Sequence, residues 1–225
     1  PQVIFADADL DKALPTVVKA IIQHAGQTCS AGSRLLVQKE IYNEFMAQVA
    51  AQFAKVRVGT PEMDLDCGPV MNGRQQSLVD GFRTHAIRTG IELLAEGVYA
   101  DGLDQNGFWV KPALFGNVPR DHQLACDEVF GPVLSAIPFD DELDAIRLAN
   151  ATDYGLVGSV WTKDGNRQQR VAKGMNCGQV FINNYGAGGG VELPFGGMKK
   201  SGHGREKGFI ALEHFTTTKT IVHYH

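Results

Sequence analysis

The sequence predicts an α/β fold, a mostly parallel sheet with helices on both faces. Two observations carry that prediction. Short β-rich runs alternate with amphipathic helical stretches from end to end, the pattern of strand–helix–strand crossover units. The composition, 44% hydrophobic and 20% charged over 225 residues, is that of an ordinary globular chain. A domain of this length removes roughly 70% of its unfolded surface from water and needs no disulfide to fold.

The elements follow in order. Val3–Phe5 is a short β-rich run. Asp9 caps a helix reaching about His24, with an apolar face of Leu10, Leu14, Val17, Val18, Ile21 and Ile22. A glycine-rich loop around Cys29 leads to a strand at Leu35–Gln38. Residues 39–56 place Ile41, Phe45, Val49 and Phe53 every four positions, predicting a second helix. A loop at Gly59–Pro69 precedes a helix over Arg74–Arg88. Ile91–Ala95, Phe108–Phe115 and Val129–Phe139 read as extended. Asp140 or Asp141 caps a helix that turns Leu143, Ile146 and Ala149 inward. Gly158–Thr162 is a strand, Asn166–Met175 a helix, Gln179–Asn183 a strand and Arg205–Glu213 a closing helix. The β-branched tail Thr216–Val222 has no later strand to pair with, and an unpaired edge is a liability. It is expected to pair with another subunit. The domain reading is one globular unit over 1–213 and an oligomerisation strand over 214–225.

Charge and composition exclude several functions. A net charge of −4 gives no electrostatic reason to expect nucleic acid or an anionic membrane as partner. No apolar run approaches the ~20 residues of a membrane span. The opening PQVIFADADL lacks the basic and apolar regions of a secretory signal. Cys29, Cys67, Cys126 and Cys177 are widely spaced, with no C-x-x-C pair, and read as free thiols in a reducing compartment, the cytoplasm. No metal site is expected.

Cys29 stands apart from the other three. AGQTCSAGSR (25–34) sets it among small residues in a helix–strand connection. Gly26, Ala31 and Gly32 leave room for a substrate, and nearby backbone N–H groups can stabilise an oxyanion. Downstream lie DEVFGPV (127–133), FINNYGAGGGVELPFGGMKKSGHGRE (181–206) and the KTIVH tail. VIFADADLDKA opens the chain, followed by VGTPEMDLDCGPVMN (58–72), GFWVKPALF (107–115) and YGLVGSVWTKD (154–164).

In that order, over essentially all 225 residues, these segments resemble the C-terminal, catalytic half of the aldehyde dehydrogenase superfamily. The resemblance implies that Cys29, as thiolate, attacks an aldehyde carbon. Hydride transfer to NAD or NADP then leaves a thioester, which water hydrolyses to the carboxylic acid. It implies that Glu128 accepts hydrogen bonds from the nicotinamide ribose, a task suited to a group with acceptors only. It aligns Phe130 with an aromatic beside the nicotinamide and Gln75, weakly, with a cofactor contact. Phe195, Gly188, Gly189 and Ile22 are implied as substrate-pocket positions, within or near an entrance loop at Gly186–Gly190. Asn184 matches a buried Asn near the site floor, and Glu206 an acid of structural or supporting role. Lys199, Lys200, Arg205 and Lys207 read as a solvated basic run. His24 stands where the family usually has Asn and is not expected to be the base. Few aromatics precede Cys29, which suggests a mouth wider or more polar than one tuned to small apolar aldehydes.

The resemblance further places the general-base glutamate, an oxyanion-hole Asn and most of the cofactor fold in a half preceding Pro1. The chain alone is therefore expected not to oxidise aldehydes. A small-molecule aldehyde and a homo-oligomer, dimer or tetramer, are the implied partners. Two alternatives remain open: a CoA-acylating or semialdehyde-specific relative, and a non-enzymatic module that keeps the fold.

Overall fold

The computed structural model describes residues 1–104, 106–186 and 190–225. Its centre is a seven-stranded sheet. In chain order the strands are β1 (Gln2–Ile4), β2 (Arg34–Gln38), β3 (Glu92–Glu96), β4 (Ala113–Gly116), β5 (Val133–Phe139), β6 (Val157–Trp161) and β7 (Gln179–Ile182). Across the sheet they run β7-β6-β1-β2-β5-β4-β3. All neighbours are parallel except the edge pair β3–β4. The α/β expectation therefore holds.

Helix α1 (Leu10–Ile22) connects β1 to β2, and α2 (Tyr42–Phe53) packs on α1 and against β3 and β4. Helix α3 is Gly73–Arg88 and α4 the single turn Gln123–Cys126. Helix α5 (Glu142–Ala149) and α6 (Gly165–Gly174) pack on each other, α5 against β2 and β5, α6 against β6 and β7. The crossover from β1 moves one way along the sheet and those from β5 and β6 the other. Right-handed crossovers of opposite direction put their helices on opposite faces. Trp161, Phe5, Phe45, Phe53, Phe115 and Phe139 are the bulkiest fully buried side chains, and Phe5 meets Phe139 edge-on at 5.1 Å.

Most expected elements form. Asp9 caps α1, accepting from the Lys12 N–H at 3.3 Å, and Asp141 rather than Asp140 caps α5. Several boundaries move. Residues 39–41 are a 3₁₀ turn before α2, which ends at Phe53. Only Ala113–Phe115 of the 108–115 run, continued to Gly116, and Val133–Phe139 of the 129–139 run join the sheet, because the residues before them belong to the loops at its amino-terminal rim. The closing helix α7 is only Ala211–His214, since positive φ at Lys207 and Gly208 interrupts the helical path. The tail carries no strand, and Ile221, Val222 and Tyr224 are exposed. Among the described residues no helix is long and apolar enough to cross a membrane.

Two contacts hold the loops that matter. Gly26 has φ +71, and a Cβ there would collide with the carbonyl carbon and oxygen of Gly131 and the nitrogen of Pro132. Gly131 in turn lies against Val79 of α3. The loop before β2 and the loop before β5 thus touch backbone to backbone. Elsewhere, buried Asp144 accepts from both terminal nitrogens of Arg120 at 2.9 and 2.7 Å, from Arg147 and from the Asp140 N–H. Its burial alone would raise the carboxyl pKa. The bonds from Arg147, Asp140 and Arg120 outweigh that and hold it below its ordinary value.

Two predictions follow from these contacts. Gly26→Ala should lower stability by at least about 3 kcal/mol in chemical denaturation, because neither facing backbone segment can yield cheaply. A loss below about 1 kcal/mol would mean that the loops are not in contact. Asp144→Asn should cost about 2 kcal/mol at pH 7. A depressed carboxylate contributes fully above its unfolded value of 3.8 and ceases to do so as pH falls through the lower folded value. The gap between variant and parent, followed by urea unfolding, should therefore close as the solution is made more acidic than that.

Candidate active site

The Cys29 loop begins with a conformational break. After α1 ends at Ile22, His24, Ala25 and Gly26 adopt positive φ in succession, 53, 53 and 71°. For the two non-glycine residues this costs on the order of 1 kcal/mol or more each. The chain folds back, with Gln27 N–H donating to His24 O at 3.1 Å and Ala31 N–H to Thr28 O at 3.0 Å. Gly32 N–H returns to Ala20 O at 3.0 Å, and Gln2 Nε2 donates to Gly32 O at 3.0 Å. Cys29 is left exposed at the tip. Among the described residues the N–H groups of Cys29 and Ser30 meet no acceptor.

Cys29 lines a cavity of about 110 Å³, and Glu128, Phe130, Asn150 and Tyr185 line it too. Most of the lining comes from loops that precede β2, β5, β6 and β7, with Tyr185 reaching in from the segment after β7. The cavity therefore sits at the amino-terminal ends of the parallel strands, opposite to where open α/β sheets generally bind ligands. Glu128 is exposed. Phe130, 38% exposed, has φ +53. Its carbonyl accepts from Gln75 Nε2 at 2.8 Å, and that of Val129 from the same nitrogen at 3.3 Å. Gln75 is thus half-buried and braces the Phe130 loop from α3.

The other candidates are scattered. Ile22 packs on the core beside a separate depression with Val18 and His24 and does not line the Cys29 cavity, because the turn at 24–26 carries the chain away from it. Phe195 and Glu206 pair with each other, N–H to O at 2.7 and 2.8 Å, and neither lines that cavity. Asn184 is exposed rather than buried. It follows β7, a strand at the edge of the sheet, and its Oδ1 accepts from Tyr185 N–H at 2.8 Å. Gly188 and Gly189 lie outside the described residues. The room once assigned to Gly26 and Gly32 is filled by protein: Gly131 faces the first, Gln2 and Ala20 the second. Two lysines of the basic run are bound within the chain, Lys200 to the Asp153 carboxylate at 2.6 Å and Lys199 to the carbonyls of Asn150 and Thr152.

Two residues of the cavity wall escape sequence reasoning. Tyr185 donates its hydroxyl to Ser30 O at 2.7 Å, which ties the Cys29 loop to the end of β7. Burial raises its pKa, and nearby Cys177 and Cys29 add to the rise, so it stays a neutral donor. Arg34 opens β2 buried and donates to Leu148 O at 2.7 Å and Ala149 O at 3.4 Å, carbonyls of the last turn of α5. A tyrosine just past a strand and an arginine opening a buried one were the available signals. Burial pushes the Cys67 thiol up to about 12 and that of Cys177 upward.

Comparison with known proteins gives the family. The profile of the aldehyde dehydrogenase family matches residues 1–221. A betaine aldehyde dehydrogenase of Bacillus subtilis is 38% identical over 223 residues, 98% of this chain and 45% of the relative. An aldehyde dehydrogenase of Emericella nidulans is 40% identical over 225 residues, 100% of this chain and 44% of its own length. A Burkholderia cenocepacia crystal structure assigned to the aldehyde dehydrogenases superposes with a TM-score of 0.96 at 55% identity, covering 98% of this chain and 46% of that one. A Staphylococcus aureus betaine aldehyde dehydrogenase in complex with NAD+ gives 0.90 at 35%, covering 96% and 43%. The chain spans a little under half the length of these relatives. Its matched profile and its sheet both say that this chain belongs to the aldehyde dehydrogenase family.

Proposed function

We propose that this chain carries the nucleophile and part of the nicotinamide-binding wall of an NAD(P)-dependent enzyme that oxidises an aldehyde to a carboxylic acid. One observation carries the reading. Cys29, Glu128 and Phe130 come from distant parts of the sequence and line one cavity.

The residues fit a nicotinamide nucleoside. Glu128 offers only acceptors to a ribose diol, and the half-exposed Phe130 ring gives an apolar face braced by Gln75. A bound nicotinamide supplies the hydride acceptor. NAD and NADP serve alike here, because the cavity meets the end they share. Cys29 attacks as thiolate, forming the C–S bond while the carbonyl oxygen takes up the electron pair. The free N–H groups at Cys29 and Ser30 suit that oxyanion. Loss of hydride from the same carbon leaves a thioester, and water attack releases the acid and restores the thiolate. The dinucleotide fold, the general base and the second oxyanion donor belong to another part of the full-length protein. In this reading the 225-residue chain alone forms no NADH from aldehydes.

The NAD+ complex of the Staphylococcus relative supports the cofactor. The exposed apolar tail, with Tyr224 90% exposed, supports strand addition to another subunit over residues 214–225, and hence a homo-oligomer. Four free thiols suit a reducing, cytoplasmic location.

The test is made on the full-length enzyme. Cys29→Ser should lower kcat by at least about 1,000-fold, and Glu128→Gln should lower kcat/KM for the cofactor about tenfold. Iodoacetamide at pH 7, followed by peptide mass mapping, should label Cys29 first and the buried, high-pKa Cys67 last. Equal labelling of all thiols would favour a module without catalysis, and acyl-CoA as product would identify a CoA-acylating enzyme.

A further inference from the structure

A second cavity, of about 400 Å³, shares Thr28, Ser30 and Tyr185 with the first. Its outer wall is the last turns of α1 and the segment after β7. Thr16, Lys19, Gln23 and Asn184 line it. The side chains flanking Cys29 thus face two spaces, one bordered by the cofactor candidates and one bordered by this polar wall.

The composition of that wall is specific. Lys19 is the one charged residue among the lining positions, and no carboxylate accompanies it. Among the described residues its ammonium enters no ion pair or hydrogen bond. The Asn184 Oδ1 is taken by the Tyr185 N–H, which leaves the amide NH₂ free to donate. The Gln23 side chain makes no hydrogen bond among the described residues and offers a second amide. Tyr185 is the only aromatic, and its hydroxyl is committed to Ser30 O. A lysine in the last turn of a helix also complements the helix dipole. That role accounts for the charge but not for two free amides beside it and no acid. Lys19 also borders the depression on the far side of α1, but there Lys55 and Asp66 offset each other and no residue of 28–30 is present.

We propose that the preferred aldehyde carries an anionic group, carboxylate or phosphate, at the end remote from its carbonyl. Lys19 receives that group, with the amides of Gln23 and Asn184 as further donors. This deepens the proposed function and rests on its reading of Cys29 as nucleophile. A charge-assisted contact of this kind discriminates by roughly 10- to 100-fold. An aldehyde with a fixed positive charge is disfavoured by the same lysine. The semialdehyde alternative left open by the sequence is the one this wall favours.

The experiment measures kcat/KM for the full-length enzyme on matched aldehydes, following NADH. Succinate semialdehyde is paired with butanal, glyceraldehyde 3-phosphate with glyceraldehyde, and trimethylammonium acetaldehyde is the cationic arm. At least one anionic aldehyde should exceed its neutral counterpart by about tenfold or more, and the cationic one should be poorest. In Lys19→Met the anionic-to-neutral ratio should fall about tenfold. In Lys19→Glu the cationic aldehyde should overtake the anionic ones. Equal use of anionic and neutral aldehydes, or a preference that survives Lys19→Met, would overturn the proposal. Turnover that persists in Cys29→Ser would instead overturn the nucleophile assignment beneath it, a different result from a lost charge preference.

Discussion

The backbone contact between Gly26 and Gly131 is the constraint on which the site depends. Neither position leaves space for a side chain toward its neighbour. The first lies just before the nucleophile and the second just after the loop that carries Glu128 and Phe130. Their contact sets the separation of thiol and carboxylate without a disulfide, a metal or an ion pair. Loop flexibility at this point would work against the proposed chemistry, in which both loops face one cavity at fixed spacing.

The strain around that contact is distributed in a consistent way. His24, Ala25 and Phe130 all take left-handed backbone, and each flanks the junction. Gln75 from α3 and Tyr185 from the end of β7 brace the two loops from opposite sides. Arg34 anchors the start of β2 to the end of α5. The rigid sheet thereby determines where the exposed loops stand, the usual way a scaffold carries a reactive group.

In the proposed reading, chemistry and selectivity fall to different walls. The cavity with Cys29, Glu128 and Phe130 has what a thiol nucleophile and a nicotinamide require. The neighbouring cavity has one cation and two amides in a place that does not touch the reacting atoms. Such a division lets the substrate preference change through α1 residues such as Lys19 and Gln23 while the nucleophile loop stays as it is.

Much of the fold was legible in the residues themselves. Asp9 and Asp141 mark helix starts because a short side chain reaches the free N–H groups of a first turn, and the alternation of apolar runs gives the parallel sheet. Cys29, Glu128 and Phe130 stood out as candidates because their neighbours form ordered motifs, and the fold brings them to one cavity. The lengths of β4, β5 and α7 were not readable, since pairing and left-handed residues decided where each element stops. Nor could the sequence show that Gly26 receives Gly131 instead of a substrate, that Ile22 and Phe195 lie away from the thiol, or that Lys19 lines a cavity beside it. Each of those facts depends on which distant segments meet, and local pattern encodes a residue's own backbone preference but not the identity of its neighbour across the sheet.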